Sequence, residues 1–408
     1  MPQSQSPDRQ SARFLLLYAL ASAGGAISYV PFLTILLPAR VTQLAGDEAV
    51  GWLAYIAFVG AIAASIGNIG FGWLSDITRN RRGWILAGLA LSSLVLLSVG
   101  PTQTLMSLLI QIAIWQLCLN MMLSPLAAWA GDCVPDAQKG LLGGLLSIAP
   151  AVGGLSGALV TWPGVAEGSE RLTLVAVMVA ICVVPVVLLG KPRPMPALSS
   201  SLAQAVEGAA ASDIGDYPPL QTAVRQAVLR MWFARLLIQI AEAALFAFLL
   251  IWLISLDPSF TESETAGIFS LALIIAIPVA LGFGRWADAY DRPIVPLWIA
   301  ALVCAVGLSI MALSDVTNWA VAGYVVFGVA GAVFLSLHSA QTLRILPRSS
   351  TRARDLGIFN LTNTVPSLIM PWLTLALVPL FGFAGLFILL AAMAIIAAIL
   401  LFSIPLRK

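Results

Sequence analysis

The sequence is short of charge. Only 10% of its 408 residues are Asp, Glu, Lys or Arg, where soluble domains carry about 25%, and that deficit excludes an ordinary soluble enzyme. Histidine occurs once, at position 338, so no histidine-built metal or acid–base cluster is at hand. The four cysteines, Cys118, Cys133, Cys182 and Cys304, lie in or beside apolar runs without CxxC spacing or a pairing pattern. No disulfide framework or zinc site follows. A net charge of only +2 leaves no electrostatic footprint for a nucleic-acid partner. What is abundant is apolar, for 60% of the residues are hydrophobic.

A hydrocarbon core about 30 Å thick takes about 20 apolar residues per helix. Apolar runs cover residues 14–38, 50–74, 84–100, 104–130, 141–161, 172–190, 231–256, 266–283, 294–313, 319–343, 356–380 and 384–405. They predict an all-α polytopic membrane protein with twelve transmembrane helices. Ala19 and Ala21 imitate a signal-peptidase site, but their apolar stretch continues to Pro38, too long for a signal core. The first run is therefore read as a retained helix. One connection is long, the Pro/Ser/Ala-rich segment after the sixth run. The expected organisation is a six-helix bundle over 1–190, a linker over 191–228 and a second six-helix bundle over 229–408.

Short cytoplasmic loops collect Lys and Arg. The termini and even-numbered connections hold Arg9, Arg13, Arg79, Arg81, Arg82, Lys139, Lys191, Arg193, Arg225, Arg230, Arg285, Arg292, Arg344, Arg348, Arg352, Arg354, Arg407 and Lys408, whereas the opposite side has only Arg40 and Arg171 among its acids. Both termini are thus expected in the cytoplasm. The membrane is expected to be the cell membrane, the inner one in a Gram-negative source. A missed or invented span would invert the bias downstream, so the parity checks the count.

The loop after the second run reads Gly72-Trp73-Leu74-Ser75-Asp76-Ile77-Thr78-Arg79-Asn80-Arg81-Arg82-Gly83, and the matching loop after the eighth reads Gly284-Arg285-Trp286-Ala287-Asp288-Ala289-Tyr290-Asp291-Arg292. A Gly-x-x-x-Asp pattern followed by Arg therefore recurs at equivalent places in two halves, the weak internal symmetry of a repeat-built transporter. Glycine permits close helix approach. An aspartate at a helix end accepts hydrogen bonds from Arg or from free amides of a neighbouring helix N-terminus, contacts that break and reform if the halves rock. Solvated loop charges are the plain alternative. Asp76, Arg79, Arg81, Asp132, Asp288 and Arg292 are the candidate gating residues.

On these residues the chain resembles the major facilitator superfamily of secondary transporters over essentially its whole length. The spacing Asp76-x-Thr78-Arg79-x-Arg81-x-Gly83, the stretch Asn120 to Gly157 with Ser124-Pro125, Asp132, Val134-Pro135 and Lys139-Gly140, and Asp355-Leu356-Gly357-Ile358-Phe359-Asn360 with Asn363 and Pro366 look like its glycoside-pentoside-hexuronide and sucrose-transporter-like branches. The resemblance implies two pseudo-symmetric six-helix bundles around a cavity lined by spans one, four, seven and ten, and cation-coupled uptake of a sugar or glycoside. Ile77 stands where an Arg is common. Spans two and four lack the membrane-embedded aspartates with which melibiose-type members bind sodium, which argues against sodium coupling.

Charges inside a bilayer are costly, so those present should face a cavity or a partner. In the seventh run Arg235, Gln239, Glu242 and Phe246 share one helical face. Glu242 is the carboxylate nearest mid-depth, and a group so placed can load a proton on one side and release it on the other. Glu242 with Arg235 is the candidate proton-coupling pair. Neutralisation of Glu242 by Arg235 through Gln239 purely for packing is the other reading, and Arg235 has the reach to snorkel.

Polar and aromatic stripes mark other spans: Tyr18 and Tyr29 in the first, Trp115, Gln116 and Asn120 in the fourth, Tyr324 in the tenth, Asn360 and Asn363 in the eleventh. With Gln239 and Phe246 they form the candidate substrate set, since rings stack on sugar faces and amides bond hydroxyls. Interhelical hydrogen bonding explains any single member equally well. His338 suits a proton relay or a structural bond. Cys118, Met121 and Met122 read as core, and no metal or cofactor is expected.

The leading expectation is a proton-coupled sugar or glycoside transporter working by alternating access, a monomer whose partners are its small-molecule substrate, protons and lipid. A proton-driven exporter of amphipathic compounds and a non-transporting assembly or pigment-delivery factor of the same fold are the alternatives. An enzyme is not expected, because no loop carries a Ser/His pair, an acid cluster with His, or a phosphate loop.

Overall fold

A backbone crossing hydrocarbon must satisfy its own N–H and C=O groups, and an apolar run does so as a helix. The computed structural model of the chain describes residues 9–146, 148–193, 219–290, 292, 294–314, 316–345 and 352–404. The side chains of 136, 137, 139, 140, 219–225, 288, 339–345 and 352–361 fall outside that description. The helices are α1 (Ala12–Pro31), α2 (Leu37–Ala45), α3 (Ala49–Thr78), α4 (Arg81–Val99), α5 (Leu105–Cys133), α6 (Asp136–Leu146), α7 (Ala149–Thr161), α8 (Glu170–Leu189), α9 (Pro219–Leu256), α10 (Glu262–Ala289), α11 (Val295–Leu313), α12 (Thr317–Ile345) and α13 (Arg352–Phe402). No strand occurs among the described residues. Helix α9 begins inside the segment read from sequence as linker.

Ten helical stretches among the described residues are long and apolar enough to span a bilayer. Two of them are double. Ala12–Thr78 runs for 67 residues, which as one straight helix would reach roughly 100 Å, three times the hydrocarbon thickness. It is broken at Gly46, whose φ of +54° opens a 3-10 turn. Helix α13 has 51 residues and breaks at Gly382, with φ +64° and ψ −173°, a backbone state open essentially to glycine. Each double stretch supplies two spans, which recovers the twelve runs of the sequence. Pro31 marks a smaller irregularity. It has no N–H to give the preceding turn, and a π-helical turn follows over Phe32–Leu36.

Local chemistry sets several helix starts. The Ser11 hydroxyl accepts from Phe14 N, and the Thr104 hydroxyl from Ser107 N. Thr261 and Glu264 form a reciprocal capping box at the head of α10. In the preceding turn Asp257 accepts from both the hydroxyl and the backbone N–H of Ser259, which holds its carboxyl below the usual range.

The chain groups into two compact units, one of Met1–Ala45 with Val59–Ala211, the other of Gly46–Phe58 with Ser212–Lys408. In the first, α1 packs on α7 and α8, and α4 packs on α5 and α8. In the second, α9 packs on α13, and α11 packs on α12 and α13. Since α13 holds two spans, the second unit repeats the pairing scheme of the first. Glycines make the equivalent closest approaches: a Cβ on Gly88 of α4 would strike the backbone N of Met122 in α5, and one on Gly307 of α11 would lie 2.7 Å from Gly323 O and Phe327 N in α12. The first core centres on Phe14, Phe32, Trp115 and Ile85, and the second on Phe248, Trp252, Phe334 and Phe387, all at most 2% exposed.

Candidate functional site

The polar face of α9 is built as its spacing predicts, and neighbouring helices of the same unit complete it. Arg235 donates through Nε to Gln239 Oε1 at 3.3 Å, one turn along α9, and through Nη2 to Asn363 Oδ1 of α13 at 3.3 Å. Gln239 Nε2 donates to the same Asn363 oxygen at 2.9 Å. Arg235 Nη1 lies 3.5 Å from His338 Nδ1 of α12, while His338 Nε2 lies 3.0 Å from Met231 O. A carbonyl only accepts and a guanidinium only donates, so these partners fix the Nε2–H tautomer of the fully buried His338. The guanidinium is thus cradled by amide and imidazole acceptors from three helices.

Glu242 lies one residue past the midpoint of the Gln226–Leu256 span. Its carboxyl rests on α12 at Gly331: a Cβ there would come 2.5 Å from Glu242 Oε1. Among the described residues no hydrogen bond and no ion pair reaches this carboxyl; the two ion pairs found both belong to Arg81. Arg235, Tyr324 and Cys304 are close enough to feel its charge. Phe246, one turn further along α9, meets Phe269 of α10 with ring centroids 6.2 Å apart.

The other candidate substrate residues fall into three situations. Tyr18 is 3% exposed and donates its hydroxyl to Leu126 O of α5 at 3.0 Å. Trp115, 1% exposed, packs edge-on against Phe32 at 4.9 Å. Asn120 is buried, donating to Gln116 O at 2.9 Å and accepting from Asn68 Nδ2 of α3 at 3.4 Å. In all three the side chain meets neighbouring protein. Tyr324 is buried against Trp252, with centroids 6.4 Å apart. Tyr29, Gln116 and Gln239 are half-buried and Asn363 is exposed. The Asn360 side chain lies outside the described residues.

Of the candidate gating residues, three come together. Arg81, at the head of α4, contacts Asp76 Oδ1 at the end of α3, and through Nη2 and Nε reaches Asp132 Oδ2 at the end of α5 at 3.0 and 3.1 Å. Its Nη1 also donates to Ser75 Oγ at 2.5 Å. The Arg81 side chain is 15% exposed against 60% for Asp76 and 46% for Asp132, so one inward cation gathers two outward acids. Arg79 is exposed and joins none of these pairs; its φ of +50° makes the turn between α3 and α4. Arg292 is exposed, with its backbone N–H bonded to Ala287 O at 3.0 Å. The Asp288 side chain lies outside the described residues.

Sequence spacing did not single out three further groups. Arg82 donates to Gly190 O at the end of α8 and covers the Trp129 ring at 5.4 Å. Gln10, 3% exposed, bonds Gln138, Cys133 O and the backbone of Arg193, tying the first described residues to the ends of α5 and α8. Asn68 is the third. Their signal was a polar residue beside a helix end or facing another helix, which loop residues share in number.

A family model described as the Major Facilitator Superfamily matches residues 14–329 and 231–408. No curated protein matches the sequence. Among solved structures, the nucleoside transporter NupG superposes with a TM-score of 0.68 at 13% identity, covering 97% of this chain and 100% of that one. A POT family transporter in complex with 5-aminolevulinic acid gives 0.67 at 15% identity, with 97% and 96% covered. A mutant of the peptide transporter POT in complex with alafosfalin gives 0.70 at 16% identity, with 96% and 92% covered. At such identities the likeness is one of fold.

Proposed function

The chain belongs to the major facilitator superfamily, a transporter rather than an enzyme, and from that premise we propose that it moves a neutral polyhydroxylated solute, a sugar or glycoside, by proton-coupled alternating access. A small-molecule substrate and a lipid bilayer come with the family. The proton and the sugar are our own reading.

One observation carries the coupling: Glu242, midway along α9, has neither a hydrogen bond nor an ion pair among the described residues. A charge at that depth is costly, so a conformational change that seals the site is easiest while the carboxyl is neutral. Exchange of a proton on each side then ties solute movement to the gradient. Arg235 makes its described hydrogen bonds to Gln239 and Asn363, with His338 alongside, rather than to Glu242. Amides support the sugar reading. Gln239, on the helical face of Glu242, and its partner Asn363 present hydrogen-bonding groups, and Gln116 is half-buried in the first unit. The positive-inside bias supports cytoplasmic termini, and the cell membrane as the location is our own reading.

The test is transport by reconstituted protein. Glu242→Gln keeps the shape and removes the titration. Accumulation driven by a pH gradient should disappear while counterflow exchange persists. Full gradient-driven accumulation by this variant would remove Glu242 from the mechanism.

A further inference from the structure

The floor beneath Glu242 is a glycine. A Cβ built on Gly331 would stand 2.5 Å from Glu242 Oε1, 3.4 Å from Cδ and 3.5 Å from Cγ, so the carboxyl occupies the volume that any other residue at 331 would fill. Gly328 and Tyr324 continue the same face of α12 at spacings of three and four residues. Arg235 on its own helix, Tyr324 on α12 and Cys304 on α11 feel the carboxyl's charge; Gln239 shares its helical face, and His338 of α12 and Asn363 of α13 contact Arg235 and Gln239. Among the described residues none of them hydrogen-bonds to it. A carboxyl laid against a helix backbone without a donor is placed for its neutral form. Once ionised it gains by moving toward the donors of Arg235 and Gln239.

We propose that Gly331 is a positioning residue of the proton-coupling machinery. Its missing side chain forms the slot in which the neutral Glu242 carboxyl docks, and loss of the proton releases the carboxylate along α9 toward Arg235. The step is a proton transfer to or from water with one side-chain movement, and no bond other than O–H changes. The proposal rests on the reading of Glu242 as proton carrier.

Infrared difference spectroscopy of the purified full chain across a pH titration tests it without any solute. The band of the protonated Glu242 carbonyl is assigned by its loss in Glu242→Gln. A carboxyl without a hydrogen bond absorbs at higher wavenumber than a bonded one, so wild-type protein should show the high position. In Gly331→Ala the new methyl expels the carboxyl toward Gln239 and Arg235, and the band should fall in wavenumber. In the volume-conserving pair Glu242→Asp with Gly331→Ala it should return. Gly328→Ala, whose Cβ would lie 3.0 Å from Ala272 Cβ, crowds α12 without reaching the carboxyl and should leave the band in place. A band in Gly331→Ala at the wild-type position overturns the proposal. If that variant does not purify, the double variant decides, and a lowered band there overturns it. If Glu242→Gln removes no band and keeps gradient-driven accumulation, the carrier reading itself fails. If Glu242→Gln behaves as expected and only the Gly331 variants do not, the slot alone is wrong.

Discussion

Neutralising one member of the Arg81 cluster should reveal how much an exposed ion network governs this end of the first unit. Arg81 meets Asp76 and, through two nitrogens at 3.0 and 3.1 Å, Asp132. The acids are about half exposed, so the ideal Coulomb attraction is cut by solvent. Measured exposed pairs contribute about 0.2–1 kcal/mol. Asp76→Asn leaves Asp132 in place and should cost about 0.5 kcal/mol. Asp132→Asn, the less exposed and doubly bonded acid, should cost about 1 kcal/mol on the same scale. Arg81→Gln removes both pairs and leaves two acids facing each other without a cation, for about 1.5–2 kcal/mol. Melting of the purified protein should follow that order, by about 2–4 °C per kcal/mol for a body of 150–250 residues. The differences should shrink at about 1 M salt, where the Debye length falls to about 3 Å. If the contacts also bias the transport cycle, Asp76→Asn should change the ratio of label accessibilities on the two faces about two-fold, since about 1.4 kcal/mol is a factor of ten, with ligand affinity retained. Arg81→Gln no worse than Asp76→Asn, or an order indifferent to salt, would show that the cluster is a set of solvated charges.

Two further outcomes follow from the packing. Gly307→Ala and Gly88→Ala each drive a methyl into the backbone of the facing helix rather than into a movable side chain, so both should destabilise by about 1–3 kcal/mol; thermal melts near wild type in either would refute the close approach as the reason for glycine there. Tyr18→Phe loses the bond to Leu126 O and should cost about 1 kcal/mol while solute affinity, read by ligand-induced thermal shift, stays as it was. A clear loss of affinity would return Tyr18 to the ligand.

The twelve spans were legible because burial in lipid demands long apolar runs, and nothing else in a chain looks like them. Their joints were less so. The apolar runs do part at residues 39–49 and 381–383, where Gly46 and Gly382 lie, but that the helix continues up to a single left-handed glycine was not readable, since a positive φ leaves no trace in composition beyond the glycine itself. The face Arg235, Gln239, Glu242 and Phe246 was readable because it depends only on the pitch of one helix. His338 and Asn363 as the acceptors around Arg235 were not, because three helices must pack before they meet. Asp76, Arg81 and Asp132 were all among the candidate gating residues, yet that Arg81 rather than Arg79 would gather both acids, with Ser75 beside them, depends on a fold that spacing does not encode.

Polar stripes are the instructive ambiguity. Inside a bilayer the same Tyr, Asn or Trp serves a ligand or a neighbouring helix, and sequence cannot separate the two uses because both place polar atoms on an inward face. Hydrogen-bond accounting separates them. Tyr18 bonds Leu126 O, and Asn120 is matched to Gln116 O and Asn68, so a solute would have to displace helix contacts to reach them. Glu242 presents the opposite case, an ionisable group at depth with no bond to displace. A half-buried acid at mid-span, left unmatched, costs stability in a way that packing alone gives no reason to retain, and a proton that arrives and leaves supplies that reason.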